Sequence, residues 1–108
     1  MEIKKIDPLA LKNKLDNNDL FMLIDCREES EWRNGHIIGA YLLPLGQLAD
    51  KYKSLLKDKE QTIVVQCHSG QRSMRAAQFL LSEGFQNIYN LEGGLLNWMN
   101  HQLPITRD

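Results

Sequence analysis

The chain has 108 residues, 43% of them hydrophobic, and its 13 basic and 14 acidic side chains leave a net charge of −1. That is enough apolar material for one domain with a core of its own, and the balanced charge argues against nucleic acid or an anionic membrane as a partner. Its two cysteines, Cys26 and Cys67, lie far apart with no CxxC or framework spacing, which speaks against a disulfide scaffold and for free thiols in a reducing, cytoplasmic setting. The N-terminal stretch lacks a long apolar segment and a cleavage-type site, so no secretory leader is expected. No run approaches the roughly 20 apolar residues that would span a bilayer.

Asp7-Pro8 predicts a first helix, capped by the aspartate and carrying proline in its first turn, running to about Asp16. Asn17-Asn18-Asp19 break it, and the apolar run Leu20 to Ile24 reads as a strand buried on both faces. A short acidic helix is expected from about Glu28 to Asn34, ending at Gly35. A brief strand follows at Ala40 to Leu43, stopped by Pro44, and then a helix around Leu45 to Tyr52. Thr62 to Val65 is a β-branched strand. From Arg72 to Glu83 the apolar residues Ala76, Ala77, Leu80 and Leu81 recur at helical spacing, with Gly84 as the stop. Asn87 to Leu91 predicts another strand and Gly94 to Asn100 a last helix. Strands alternating with helices predict an α/β fold, a parallel sheet covered on both faces.

In such sheets ligands gather at the carboxyl ends of strands, and Cys67 falls there, in the stretch VVQCHSGQRSMR. A loop between a strand end and a helix start holds several backbone N–H groups without helical partners, a setting suited to an anion. The nearest candidate anion is the Cys67 sulfur itself. Lowering a thiol pKa two units from about 8.5 takes roughly 2.7 kcal/mol. A helix N-terminus supplies roughly 0.3–1 kcal/mol, leaving the rest to N–H bonds and a nearby arginine. Gly70 lets the backbone curl. Arg72 is expected to face an incoming anion or the charged sulfur, since a cation at a helix start is otherwise disfavoured. Arg75, one turn along, either adds to that field or stands exposed. His68 is read as loop lining whose N–H matters more than its ring. Ser73 either hydrogen-bonds the sulfur or caps the helix. A buried cysteine at a strand end is commonly mere packing, but the polar run from His68 to Ser73 makes a poor core.

With these residues in view, the chain resembles a single-domain rhodanese, a sulfurtransferase. The loop Cys67-His68-Ser69-Gly70-Gln71-Arg72-Ser73 is similar to the family's active-site loop in length, glycine position and Arg-Ser ending. Asp25-Cys26-Arg27, Glu31-Trp32 and Gly35-His36-Ile37-Ile38-Gly39-Ala40 resemble its D-x-R and G-H-I-x-G-A signatures, and Leu91-Glu92-Gly93-Gly94 with Trp98 its closing block. The resemblance implies a rhodanese-like three-layer fold with a central parallel sheet of four to five strands. It implies Cys67 as the catalytic residue and His68, Ser69, Gly70, Gln71, Arg72 and Ser73 as the substrate-binding loop. The implied reaction is double displacement through a Cys67 persulfide, from thiosulfate or a similar donor to cyanide in vitro or thiols in the cell. Phosphatases and arsenate reductases on this fold hold one residue more between cysteine and arginine than the four found here, His68 to Gln71. The shorter loop fits sulfur better than a tetrahedral phosphate.

Asp25 is read as a strand end, and Arg27 with Glu31 as an i,i+4 structural pair. Cys26 is expected to be a small core filler rather than a second thiol, Trp32 and Trp98 core or rim, His36 a turn-shaping residue and His101 solvated. No residues have metal-ligand spacing, and neither metal nor cofactor is expected. Two further readings stand beside the enzyme: a persulfide relay or interaction module loaded by a partner protein, and an inactive regulatory domain, against which the presence of Cys67 argues. The expected partners are a small-molecule sulfur donor and acceptor, or a protein in either role. A monomer or weak dimer is expected, with no nucleic acid or membrane partner.

Overall fold

The computed structural model describes residues 2–108. Five parallel strands, β1 (Lys4–Ile6), β2 (Met22–Asp25), β3 (Tyr41–Leu42), β4 (Thr62–Gln66) and β5 (Asn87–Leu91), form one sheet in the order β1-β5-β4-β2-β3. The helices are α1 (Pro8–Asp16), α2 (Glu29–Arg33), α3 (Leu45–Leu55), α4 (Gln71–Ser82) and α5 (Gly94–Asn100). Among the described residues no helix is long and apolar enough to cross a membrane.

Period-two alternation along the central strands divides the core. Ile63, Val65 and Cys67 point with Ile24 and Cys26 into a cluster closed by Leu48 and Tyr52 of α3 and Ala76, Ala77 and Leu80 of α4. Val64 and Leu23 point the other way, toward Leu11 of α1 and Leu95 and Trp98 of α5. The α/β layering expected from the strand–helix alternation is present.

Several boundaries differ from expectation for local reasons. Leu20 is 98% exposed and lies outside β2, which begins at Met22. It extends the apolar run without sharing its burial. The strand before Pro44 is only Tyr41–Leu42, and α3 continues to Leu55. Strand β1 was not expected: two of its three residues are lysines, and only Ile6 is buried. It is an edge strand held by β5 alone, where a charged sequence is tolerated. Helix α1 starts as expected, with Asp7 Oδ1 accepting the Ala10 N–H at 2.8 Å.

Chain direction fixes where a site can form. From β2 the chain continues to β3 on one side, whereas from β4 it continues to β5 on the other. The loops leaving β2 and β4 therefore diverge, opening a crevice at their carboxyl ends. Its floor is braced by a buried ion pair. Arg27 Nε and Nη2 fork onto Asp25 Oδ1 and Oδ2 at 3.0 and 2.7 Å, and Nη2 also donates to Gly35 O at 2.8 Å. Both residues are almost completely buried. The expected Arg27–Glu31 side-chain pair does not form: Asp25 and Gly35 take Nε and Nη2, Nη1 meets only the Glu31 backbone carbonyl at 3.4 Å, and the Glu31 carboxylate goes to Arg72. Removing one partner of such a pair strands the other charge. Arg27→Ala is therefore expected to lower unfolding stability by about 3–5 kcal/mol, read from denaturant unfolding, and Arg27→Lys should recover little, since an ammonium cannot make the fork.

Candidate active site

Strand β4 carries the chain to Cys67, and the next turn is pinned from the opposite side by α5. The Leu95 and Leu96 N–H groups donate to Cys67 O and His68 O at 2.8 and 3.0 Å. This approach needs Gly94, which has φ 61° and would place a Cβ 2.5 Å from His68 O. The loop then passes through Gly70, at φ 107°, into α4. That turn aims the Gly70 N–H at Cys67 Sγ, 3.0 Å away. Gly70 O accepts from Met74 N–H at 3.2 Å and from Asn90 Nδ2 at 3.1 Å.

Ser73, on the first turn of α4, is buried with its Oγ 3.4 Å from Cys67 Sγ and 2.5 Å from Asn90 Oδ1. A hydroxyl has one proton, and Asn90 is the nearer acceptor; a rotation about the C–O bond turns the same proton to the sulfur. Of the two readings of Ser73, contact with the sulfur is realised, and no side-chain cap is made at the start of α4. Asn90 was not singled out in the sequence. It holds both Gly70 and Ser73 from β5, 20 and 17 residues away.

Cys67 is 1% exposed, yet its pKa is pulled down to about 4. The largest cause is the neighbouring Cys26 thiol, followed, against the cost of burial, by the Ser73 hydroxyl and the Ser73 and Gly70 N–H groups. Cys26 is pushed far up in turn, first by its closeness to Cys67, then by burial and by the nearby charges of Cys67 and Asp25. The two thiols titrate as a pair that holds one proton, resting on Cys26. Cys26 packs in the core as expected, and its thiol lies in the same cluster as the Cys67 sulfur.

Arg72 reaches the rim of this site but is already paired. Its Nη1 and Nη2 donate to Glu31 Oε1 and Oε2 at 2.6 and 2.9 Å. Glu31, also bonded to the Glu28 N–H in the capping box of α2, is held down to about 2, chiefly by Arg72. The Cys67 charge still acts on the guanidinium. The guanidinium expected to face an anion or the charged sulfur is thus turned to the Glu31 carboxylate instead. His68, Ser69 and Gln71 are exposed on the rim, as is Arg75. His36 stacks on Trp32 with ring centroids 3.5 Å apart and meets Trp32 O through Nδ1 at 2.8 Å, which fits its turn-shaping role. A cleft of about 290 Å³ lies beside the loop, lined by Glu31, His68, Leu95, Met99 and Ile105.

Residues 7–101 match the family model for the rhodanese-like domain. YtwF of Bacillus subtilis is 38% identical over 104 residues, covering 96% of this chain and 98% of the relative. GlpE of Pseudoalteromonas translucida, named a thiosulfate sulfurtransferase, is 30% identical over 98 residues, with coverage of 91% and 90%. The solution structure of the rhodanese-like domain of the Anabaena protein Alr3790 superposes with a TM-score of 0.87 at 32% identity, covering 98% of this chain and 80% of that one. With the family model matched over nearly the whole chain, the protein belongs to the rhodanese-like domain family, among relatives named as sulfurtransferases.

Proposed function

We propose that the protein moves sulfane sulfur from thiosulfate or a similar donor to a thiophilic acceptor through a Cys67 persulfide. The observation that carries this reading is the Cys67 sulfur, buried at the mouth of a strand–loop–helix turn with the Gly70 N–H aimed at it, in surroundings that pull its pKa well down. In the first half-reaction the thiolate attacks the outer sulfur of thiosulfate. The new S–S bond forms as the old one breaks, and sulfite leaves with the electron pair. In the second, cyanide or a thiolate attacks the terminal sulfur and Cys67 departs as thiolate. The hydrogen bonds that favour the thiolate make it a good leaving group in this second step.

One observation favours the relay reading over a dianionic donor. The Arg72 guanidinium is matched by Glu31, so its charge is not free for thiosulfate. A persulfide on a partner protein carries a single charge and makes less demand on Arg72. Both routes pass through Cys67.

Three measurements follow from this chemistry. Cys67→Ser is expected to cut thiocyanate formation from thiosulfate and cyanide by at least about a thousandfold; activity retained in that variant would remove Cys67 from the mechanism. A depressed pKa leaves the thiolate fully formed above that value. Alkylation of Cys67 by iodoacetamide should therefore stay level as pH falls from about 8 to about 5, where an ordinary thiol slows about tenfold per unit, and drop only near 4. Glu31→Gln keeps an oxygen for the capping box while releasing the Arg72 charge. It should raise kcat/KM for thiosulfate about 5–10-fold and leave loading from a persulfide donor unchanged; a fall would mean that Glu31 positions Arg72 for the small donor and would favour the thiosulfate route.

A further inference from the structure

Sulfur transfer through Cys67 gives the Cys26 sulfur no covalent step. Cys26 is fully buried and free. Asp25 and Gln66 are register partners on β2 and β4, and the Cys26 N–H donates to Gln66 O at 2.9 Å. Cys26 and Cys67 are thus the next residues along two adjacent parallel strands, and their side chains enter the same core cluster. Neighbouring strands lie about 4.8 Å apart, within the roughly 4.4–6.8 Å Cα separation that a disulfide bridges. An alanine or valine would fill this space as well as a cysteine; neither would set a second sulfur against the nucleophile.

From this juxtaposition we infer that Cys26 is a resolving thiol, which closes a reversible Cys26–Cys67 disulfide after a hydroperoxide has oxidised Cys67. The Cys67 thiolate attacks the terminal peroxide oxygen. An S–O bond forms as the O–O bond breaks, leaving a sulfenic acid and an alkoxide or hydroxide that takes a proton from water. The Cys26 sulfur then attacks Cys67 Sγ. The S–S bond forms as the S–O bond breaks, and the departing hydroxide leaves as water with the proton that Cys26 gives up. The two sulfurs lose two electrons in all, and the peroxide gains them. An external dithiol reverses the bond by exchange.

The resting site keeps this chemistry quiet. While Cys67 is a thiolate, its closeness and charge hold the proton on Cys26, and a protonated thiol is a poor nucleophile. Oxidation of Cys67 removes that charge and so releases Cys26 at the stage when it is needed. The inference requires a nucleophilic Cys67 but not its persulfide, and stands independently of the sulfur donor.

The test treats the reduced 108-residue chain with a small molar excess of hydrogen peroxide and maps its peptides without reduction. The expected product is a Cys26–Cys67 linked pair, with dithiothreitol returning iodoacetamide-reactive Cys67 to nearly its untreated level. In Cys26→Ser the same treatment should carry Cys67 on to sulfinic and sulfonic acids, with at least about tenfold less recovery after dithiothreitol. Wild-type protein that reaches the sulfinic acid without the linked pair, or that joins Cys67 between two chains, overturns the inference. A Cys26→Ser protein that recovers as fully as wild type overturns it as well. The wild-type map decides the matter by itself should the variant fail to fold.

Discussion

Cys67 is 1% exposed and yet ionised, and a buried anion persists only where hydrogen bonds replace the water it has lost. The groups around it come from two elements: the Cys26 thiol at the end of β2, and the Gly70 and Ser73 donors at the start of α4. Neither source is local in sequence to the other, so the tertiary structure has to bring them to one sulfur. Parallel pairing of β2 with β4 does the first part, because the Asp25–Gln66 register sets Cys26 beside Cys67. The left-handed turn at Gly70 does the second.

Much of the remaining structure holds those donors in place. Asn90 fixes Ser73 and the Gly70 carbonyl from β5, and the N-terminal N–H groups of α5 hold the carbonyls of Cys67 and His68 from behind. Gly94 is required there because a Cβ would meet the loop backbone. On the other side, the Asp25–Arg27 fork ties the end of β2 to Gly35. The donors are thus already oriented toward negative charge, which is what the proposed persulfide cycle requires of them.

What was legible in the sequence was what is encoded over short separations. The Asp7 cap, the β-branched run of β4 and the apolar spacing of α4 each declare themselves within a few residues, as does the cysteine loop with its glycine and Arg-Ser ending. What was missed depends on distance. Arg72 meets Glu31 across 41 residues, so pairing Glu31 with Arg27 four positions away was the simpler reading. Arg27 was meanwhile claimed by Asp25, whose burial a sequence does not display. Cys26 is the core filler it looked like, but strand register decides its neighbour. Asn90 carried no signal beyond being an amide at a buried position of β5, which is itself a hint that something polar lies across from it. Strand β1 was hidden by its lysines, which an edge position permits.

The central claim is that the enclosed Cys67 thiolate accepts a sulfur atom. Mass spectrometry of the reduced protein after incubation with thiosulfate, and in parallel with a persulfide donor, reads this directly. A gain of about 32 Da, one sulfur atom, confined to the peptide bearing Cys67 and removed by cyanide, is the predicted result. A Cys67 that stays unmodified with every donor while still reacting fully with iodoacetamide would contradict the account.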